Sequence, residues 1–95
     1  MLIFVYGSLL DHVVLRRKSG DARLDLLPAR VTGWHRLWRD RYPTVRRGGA
    51  VEGGLVRVSA RALGKLCAYE GPAYRLRGCI ARVRDRPVHC FIWIK

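Results

Sequence analysis

Carboxylates are scarce in this chain. Its 95 residues carry seven Asp and Glu against nineteen Lys and Arg, a formal net charge of +12, and just two of the seven are Glu: Glu52 and Glu70. Long apolar runs are missing as well. The opening Met1-Leu2-Ile3-Phe4-Val5-Tyr6 has no basic segment before it and meets Gly7 at once, which is too short for a secretory apolar core or a membrane span. Nothing marks export, so a cytoplasmic protein with no membrane association is expected. Cysteine is limited to Cys67, Cys79 and Cys90. The number is odd, no two stand at Cys-x-x-Cys spacing, and no His falls at finger spacing from them. The expectation is reduced, largely buried thiols in a cytosolic protein, with no zinc site. The catalytic signatures of larger enzymes are absent too. There is no P-loop and no Gly-x-Ser-x-Gly elbow, which leaves Ser8 a poor nucleophile.

The total length sets one domain, residues 1–95, with a single modest core. Half the residues are apolar, a globular balance. Sixteen of the nineteen cations are Arg, densest at Arg16-Arg17-Lys18, 36–41, Arg46-Arg47 and 82–86. Such a charge attracts polyanions without specificity. No RNP, KH or helix-turn-helix pattern accompanies it, so a solvated Arg-biased surface is favoured over a nucleic-acid interface.

Leu2 to Tyr6 reads as a buried strand. Asp11 to Lys18 fits one or two helical turns, and Ser19-Gly20-Asp21 a loop. Ala29 to Trp38 reads as a strand with a bulge or close approach at Gly33, and Tyr42-Pro43 opens a loop running through Gly48-Gly49. Val51 to Val58 is a strand in which Gly53-Gly54 signals a bend or a neighbouring backbone. Ser59 is placed to cap a helix from Ala60 to about Tyr69, whose Leu63, Leu66 and Cys67 recur at helical spacing and which Gly71-Pro72 stops. In Tyr74 to Arg84 the Arg residues change phase near Gly78-Cys79, which predicts a bulge there. Val88, Cys90, Ile92 and Ile94 share one face of a last strand. The sum is an α+β fold: a small, closed or nearly closed mixed β-barrel of about five strands with one main flanking helix.

Two segments carry chemistry. The break after Tyr6 into Gly7-Ser8-Leu9 turns consecutive backbone N–H groups toward one point, a natural oxyanion site. Glu70 ends the helix between Tyr69 and Tyr74, where the helix dipole disfavours its charge and partial burial beside the two tyrosines adds to that, so both raise its pKa. Taken alone, the first is a plain turn and the second a carboxylate paired to Arg75 or Arg77. Glu52 reads as a strand-edge or surface charge. His12, His35 and His89 read as structural or exposed, and Trp34, Trp38 and Trp93 as core or barrel-rim residues.

Together, Phe4-Val5-Tyr6-Gly7-Ser8-Leu9, Tyr42-Pro43, Val51-Glu52-Gly53-Gly54-Leu55 and Tyr69-Glu70-Gly71-Pro72 with Tyr74 and Arg77 resemble the γ-glutamylcyclotransferase-like family, in the family's order and over nearly the whole chain. The resemblance implies a catalytic Glu70 and a cavity lined by Tyr6, Gly7, Ser8 and Leu9. It implies Tyr74 facing that cavity, Arg77 orienting Glu70 or supporting the fold, and no metal or organic cofactor. The implied reaction releases 5-oxoproline from a small γ-glutamyl substrate, an amine or an amino acid conjugate. Two departures stand out: Cys67 occupies a position that is acidic in many relatives, and the larger relatives carry C-terminal segments beyond Lys95 that shape the leaving-group pocket. The alternative is a catalytically idle barrel that binds nucleic acid, an acidic partner or a small acidic metabolite. The sequence leaves the oligomeric state open.

Overall fold

The structure, a computed structural model, describes residues 1–39 and 42–94, with side chains described for residues 1–32 and 49–94. The elements run β1 (Leu2–Val5), a 3-10 turn (Gly7–Leu10), α1 (His12–Ser19), β2 (Leu27–Arg39), β3 (Tyr42–Arg57), α2 (Ala60–Glu70), β4 (Arg75–Val83) and β5 (Arg86–Ile94). The five strands close into a barrel in the order β1-β3-β2-β4-β5. The β1–β5 pair that seals it is parallel, with Phe4 opposite Ile92, and the other four pairings are antiparallel. The barrel is therefore mixed and five-stranded, as the strand pattern predicts. Two helices flank it, α1 being a full eight residues.

Strand alternation divides the apolar residues between two cores. Phe4, Val31, Val51, Leu55, Ala81 and Ile92 fill the barrel interior. Their β1 neighbours Ile3 and Val5 face the other way and join Leu15 of α1, Leu66 of α2, Val58 and Trp93 under the helices. Each large side chain fully removed from water here contributes about 1.5–3 kcal/mol. Val88, Cys90, Ile92 and Ile94 line the interior together, the shared face expected for the last strand.

Local caps set the helix ends. Asp11 Oδ1 accepts from the Val13 N–H at 2.8 Å to start α1, and left-handed Gly20 (φ 71°) ends it. Ser59 Oγ accepts from the Ala62 N–H at 3.1 Å, satisfying one of the free donors at the start of α2. Ser59→Ala is expected to cost about 1 kcal/mol in urea unfolding with an unchanged m-value.

Two expectations need correction. The segment from Tyr42 through Gly49 is not a loop: it is the first half of β3, laddered to β2 from Trp34 opposite Arg47 to Arg39 opposite Tyr42. Gly48-Gly49 accommodates an irregularity in this hairpin rather than ending a strand. The register shifts between Thr32 and Trp34, at the bulge expected for Gly33, and Gly49 adopts φ 70° across from it. Second, no bulge occurs near Gly78, because the β4–β5 ladder runs unbroken from Arg75 opposite Ile94 to Val83 opposite Arg86. The Arg phase change has another cause. Leu76 packs outward against the helix-side core while Cys79, Ala81 and Val83 pack inward. The covered side of an uninterrupted strand therefore switches along its length. Trp34, Trp38, His35 and the Tyr42-Pro43 motif lie outside the residues whose side chains are described.

Candidate active site

β1 delivers the chain into the 3-10 turn, and two anchors fix that turn. The buried Tyr6 hydroxyl donates to the Trp93 carbonyl of β5 at 2.6 Å, and the Leu9 side chain is packed among the residues under the helices. Gly7 takes φ 77°, in the left-handed region that favours glycine. A 3-10 turn commits its N–H groups from the third residue onward to its own i→i−3 hydrogen bonds. The amides it leaves over are those of Gly7 and Ser8, while Leu9 serves the turn through its buried side chain.

α2 brings the second segment to the first. Ser8 Oγ lies 2.7 Å from the Tyr69 hydroxyl, sixty-one residues on, so the turn after β1 meets the last turn of α2. Lys18 of α1 also reaches Tyr69, its ammonium over the ring and 5.3 Å from the ring centre, a cation–π distance. Tyr69 is the residue that sequence reasoning passed over as a site member. The available signal was its place immediately before Glu70. Because Ser8 and Tyr69 satisfy one another, Ser8→Ala and Tyr69→Phe should each cost about 0.5–1 kcal/mol. The double variant should cost clearly less than their sum in a double-mutant cycle.

Glu70 is the last residue of α2. The Gly71 N–H closes the helix on the Cys67 carbonyl at 3.0 Å with Gly71 at φ 88°, and the Tyr74 N–H returns to the Gly71 carbonyl at 3.2 Å. This tight exit holds Glu70 half-buried, with Tyr74 packed against the helix-side core. Loss of water around the carboxylate pushes the Glu70 pKa up from 4.5 to about 7. The cause is burial; the sequence pointed to the helix dipole as well as to burial. The ion pairs among the described residues are Arg16–Asp25, Asp21–Arg23 and Arg30–Glu52. None uses Glu70, so the bridge to Arg75 or Arg77 that an isolated helix-end Glu suggests does not form there. Arg77 is exposed on β4 opposite Ile92. Glu52 is the surface charge expected of it, paired to Arg30 at 2.5 Å.

The remaining candidates fall elsewhere. His12 and His89 are exposed, and Trp93 is buried under the helices. Two concavities of about 410 Å³ lie away from Glu70. One is a polar dip around Asp21 and Arg61, the other an apolar one around Leu2, Leu27 and Val88. No helix among the described residues is long and apolar enough to cross a membrane.

Comparison with known proteins matches this chain to a family. The family model described as "Gamma-glutamyl cyclotransferase, AIG2-like" matches residues 3–95. Among solved structures, the chain is similar to two Arabidopsis thaliana proteins studied in solution. One has 26% identity and a TM-score of 0.87, with 98% of this chain and 60% of that one covered. The other has 25% identity and a TM-score of 0.83, with 98% and 66% covered. The chain thus spans somewhat less than two thirds of either plant protein. A crystal structure of a mouse AIG2-like protein shares the fold at 20% identity and a TM-score of 0.82, with 99% of this chain and 76% of that one covered. A search of curated protein sequences finds no match.

Proposed function

The chain belongs to the AIG2-like γ-glutamyl cyclotransferase family, and from that premise we propose that it releases 5-oxoproline from a γ-glutamyl amine or γ-glutamyl amino acid, with Glu70 as general acid and base. The observation that carries the reading is the meeting of the two segments. The Ser8–Tyr69 hydrogen bond joins the turn after β1 to the helix end that bears a carboxyl with a pKa of about 7.

The substrate brings its own nucleophile. Its α-amine attacks the γ-carbonyl carbon of the same molecule, one C–N bond closes the five-membered lactam, and the amide C–N bond to the leaving amine breaks. Intramolecular attack supplies the proximity that a Ser or Cys nucleophile would otherwise have to provide. Three proton transfers remain. Ionised Glu70 takes a proton from the α-ammonium before attack and gives it to the departing nitrogen as the tetrahedral intermediate collapses; the second proton that the attacking nitrogen sheds on becoming the lactam N–H passes by the same carboxylate to the released amine, which leaves as an ammonium. A carboxyl raised to about 7 is closer to an amine in basicity than an ordinary carboxylate, which makes it a better partner in both directions. The Gly7 and Ser8 amides hold the oxyanion, Tyr6 and Leu9 keep that turn in place, Tyr74 lines the substrate site, and Arg77 supports the strand that follows.

The test is direct. Purified protein is incubated separately with γ-glutamyl amino acids and with γ-glutamylamines, and 5-oxoproline is quantified against a Glu70→Gln control. Product from either class above the control supports the reading and identifies the leaving group. Product from neither overturns it.

A further inference from the structure

The mechanism above uses no sulfur, yet two of the three thiols face one another across a ladder. Cys79 of β4 and Cys90 of β5 are directly opposed partners, and their Sγ atoms lie 3.4 Å apart. Both belong to the barrel-interior core. We propose that Cys79 and Cys90 are an oxidative modification site, closed by hydrogen peroxide into an intramolecular disulfide that staples the β4–β5 hairpin.

Geometry carries this. Directly opposed residues of an antiparallel pair have Cα atoms about 4.5–5.5 Å apart, inside the range of about 4.4–6.8 Å that a disulfide spans. The sulfurs have to approach by about 1.4 Å to reach bonding distance, a side-chain adjustment that leaves the strand register alone. The third thiol does not compete: Cys67 is on α2 and packs against the helix-side core, beyond the sheet. Accessibility selects the oxidant. Cys79 is partly exposed while Cys90 is only 4% exposed, so the oxidant proposed is a small one, hydrogen peroxide. The sulfurs are also unequal. The Cys79 S–H and the Ala81 backbone favour a thiolate on Cys90 and lower its pKa, while the Cys79 thiol is pushed up.

The steps balance. The Cys90 thiolate attacks one peroxide oxygen, the O–O bond breaks, and Cys90 sulfenic acid and hydroxide form. Hydroxide takes the Cys79 proton to become water. The Cys79 sulfur then attacks the sulfenic sulfur, the S–O bond breaks, and the departing hydroxide is protonated to a second water. Two thiols are oxidised by two electrons and one peroxide is reduced. Exchange with a small thiol reverses the bond.

The experiment uses the Cys67→Ser chain, fully reduced, freed of reductant and challenged with hydrogen peroxide. Thiols are then alkylated in denaturant and the intact mass is measured. The expected product is a monomer about 2 Da lighter with both cysteines protected, which regains two alkylation sites after reduction. In Cys79→Ser/Cys67→Ser, Cys90 should instead gain oxygen atoms. Three results overturn the proposal: both thiols still alkylated after the challenge, disulfide-linked dimers in place of the monomer, or Cys90 over-oxidised while Cys79 remains free in the Cys67→Ser chain.

Discussion

Under the proposed function, Glu70→Gln is expected to lower 5-oxoproline release by about 10²–10⁴-fold, the usual contribution of a positioned acid–base group. The amide preserves the size of the side chain and removes its proton chemistry, so the loss is expected in kcat with a smaller change in KM. In the wild type, kcat/KM should rise with pH through an inflection near the Glu70 pKa of about 7, because the free enzyme must present the carboxylate. The residual activity of the variant should lack that inflection. The same carboxyl makes a prediction for stability with the opposite benefit. Its pKa is higher folded, about 7, than its ordinary 4.5, so the folded state binds the proton more tightly. Wild-type stability is unaffected by this group below pH 4.5, falls as pH rises toward 7, and carries the full penalty above 7. The shift sets a ceiling of about 3 kcal/mol, and solvent access to the half-buried carboxyl reduces that to about 1–2 kcal/mol. Glu70→Gln should therefore melt higher than wild type at pH 8 and match it at pH 4. A variant that is less active and more stable at pH 8 is the signature of a group held in an unfavourable setting for its chemistry. A variant that is less active and less stable points to a packing role.

Gly53→Ala costs about 3 kcal/mol or more, a large part of the stability of a domain this small. Gly53 is in β3 opposite Ala29, and a Cβ built there runs into the Val5 carbonyl oxygen and the Phe4 ring. Neither neighbour gives way. The carbonyl is backbone, locked by the ladder that sets Val5 opposite Gly54, and Phe4 is completely buried. Relief requires β1 to move off β3, and β1 also carries the turn with Ser8, so thermal stability and activity should fall together. Gly64 supplies the control. It is in α2 with nothing within 4 Å of an added Cβ, so Gly64→Ala should raise stability by about 0.5–1 kcal/mol through helix propensity. If the two substitutions have similar effects on Tm, the close approach at Gly53 is not what the residue is there for.

Much of this architecture is legible in the residues. The apolar run before Gly7 announces β1, Ser59 and Gly71 bracket α2 to within a residue, and the alternation in Val88 to Ile94 identifies the inward face of β5. What escapes is information that resides in pairing. Pro43 and Gly48-Gly49 are loop punctuation when read along the chain, but β2 supplies hydrogen-bond partners across the way and extends the strand through them. The Arg positions of β4 imitate a bulge because one strand is covered first by helices and then by the barrel. At the site, Glu70 stands out by rarity and Ser8 by the abrupt end of β1, whereas the Ser8–Tyr69 contact spans sixty-one residues and has no local signal. The Cys79–Cys90 opposition is likewise a property of register, invisible at a sequence spacing of eleven.

The barrel is sealed by its earliest strand pairing in parallel with its last, which sets a timetable for synthesis. Ile3, Phe4 and Val5 leave the ribosome with no strand partner until β3 follows about fifty residues later, and the seam stays open until β5 emerges. At bacterial to eukaryotic elongation rates that is roughly 5–15 s of bare apolar edge. The turn bearing Ser8 exists as chain throughout that interval but acquires its place only when the Trp93 carbonyl arrives to accept from Tyr6. Assembly of the site is thus a late event in the life of each molecule, and nascent chains shorter than β5 are the form most in need of chaperone cover.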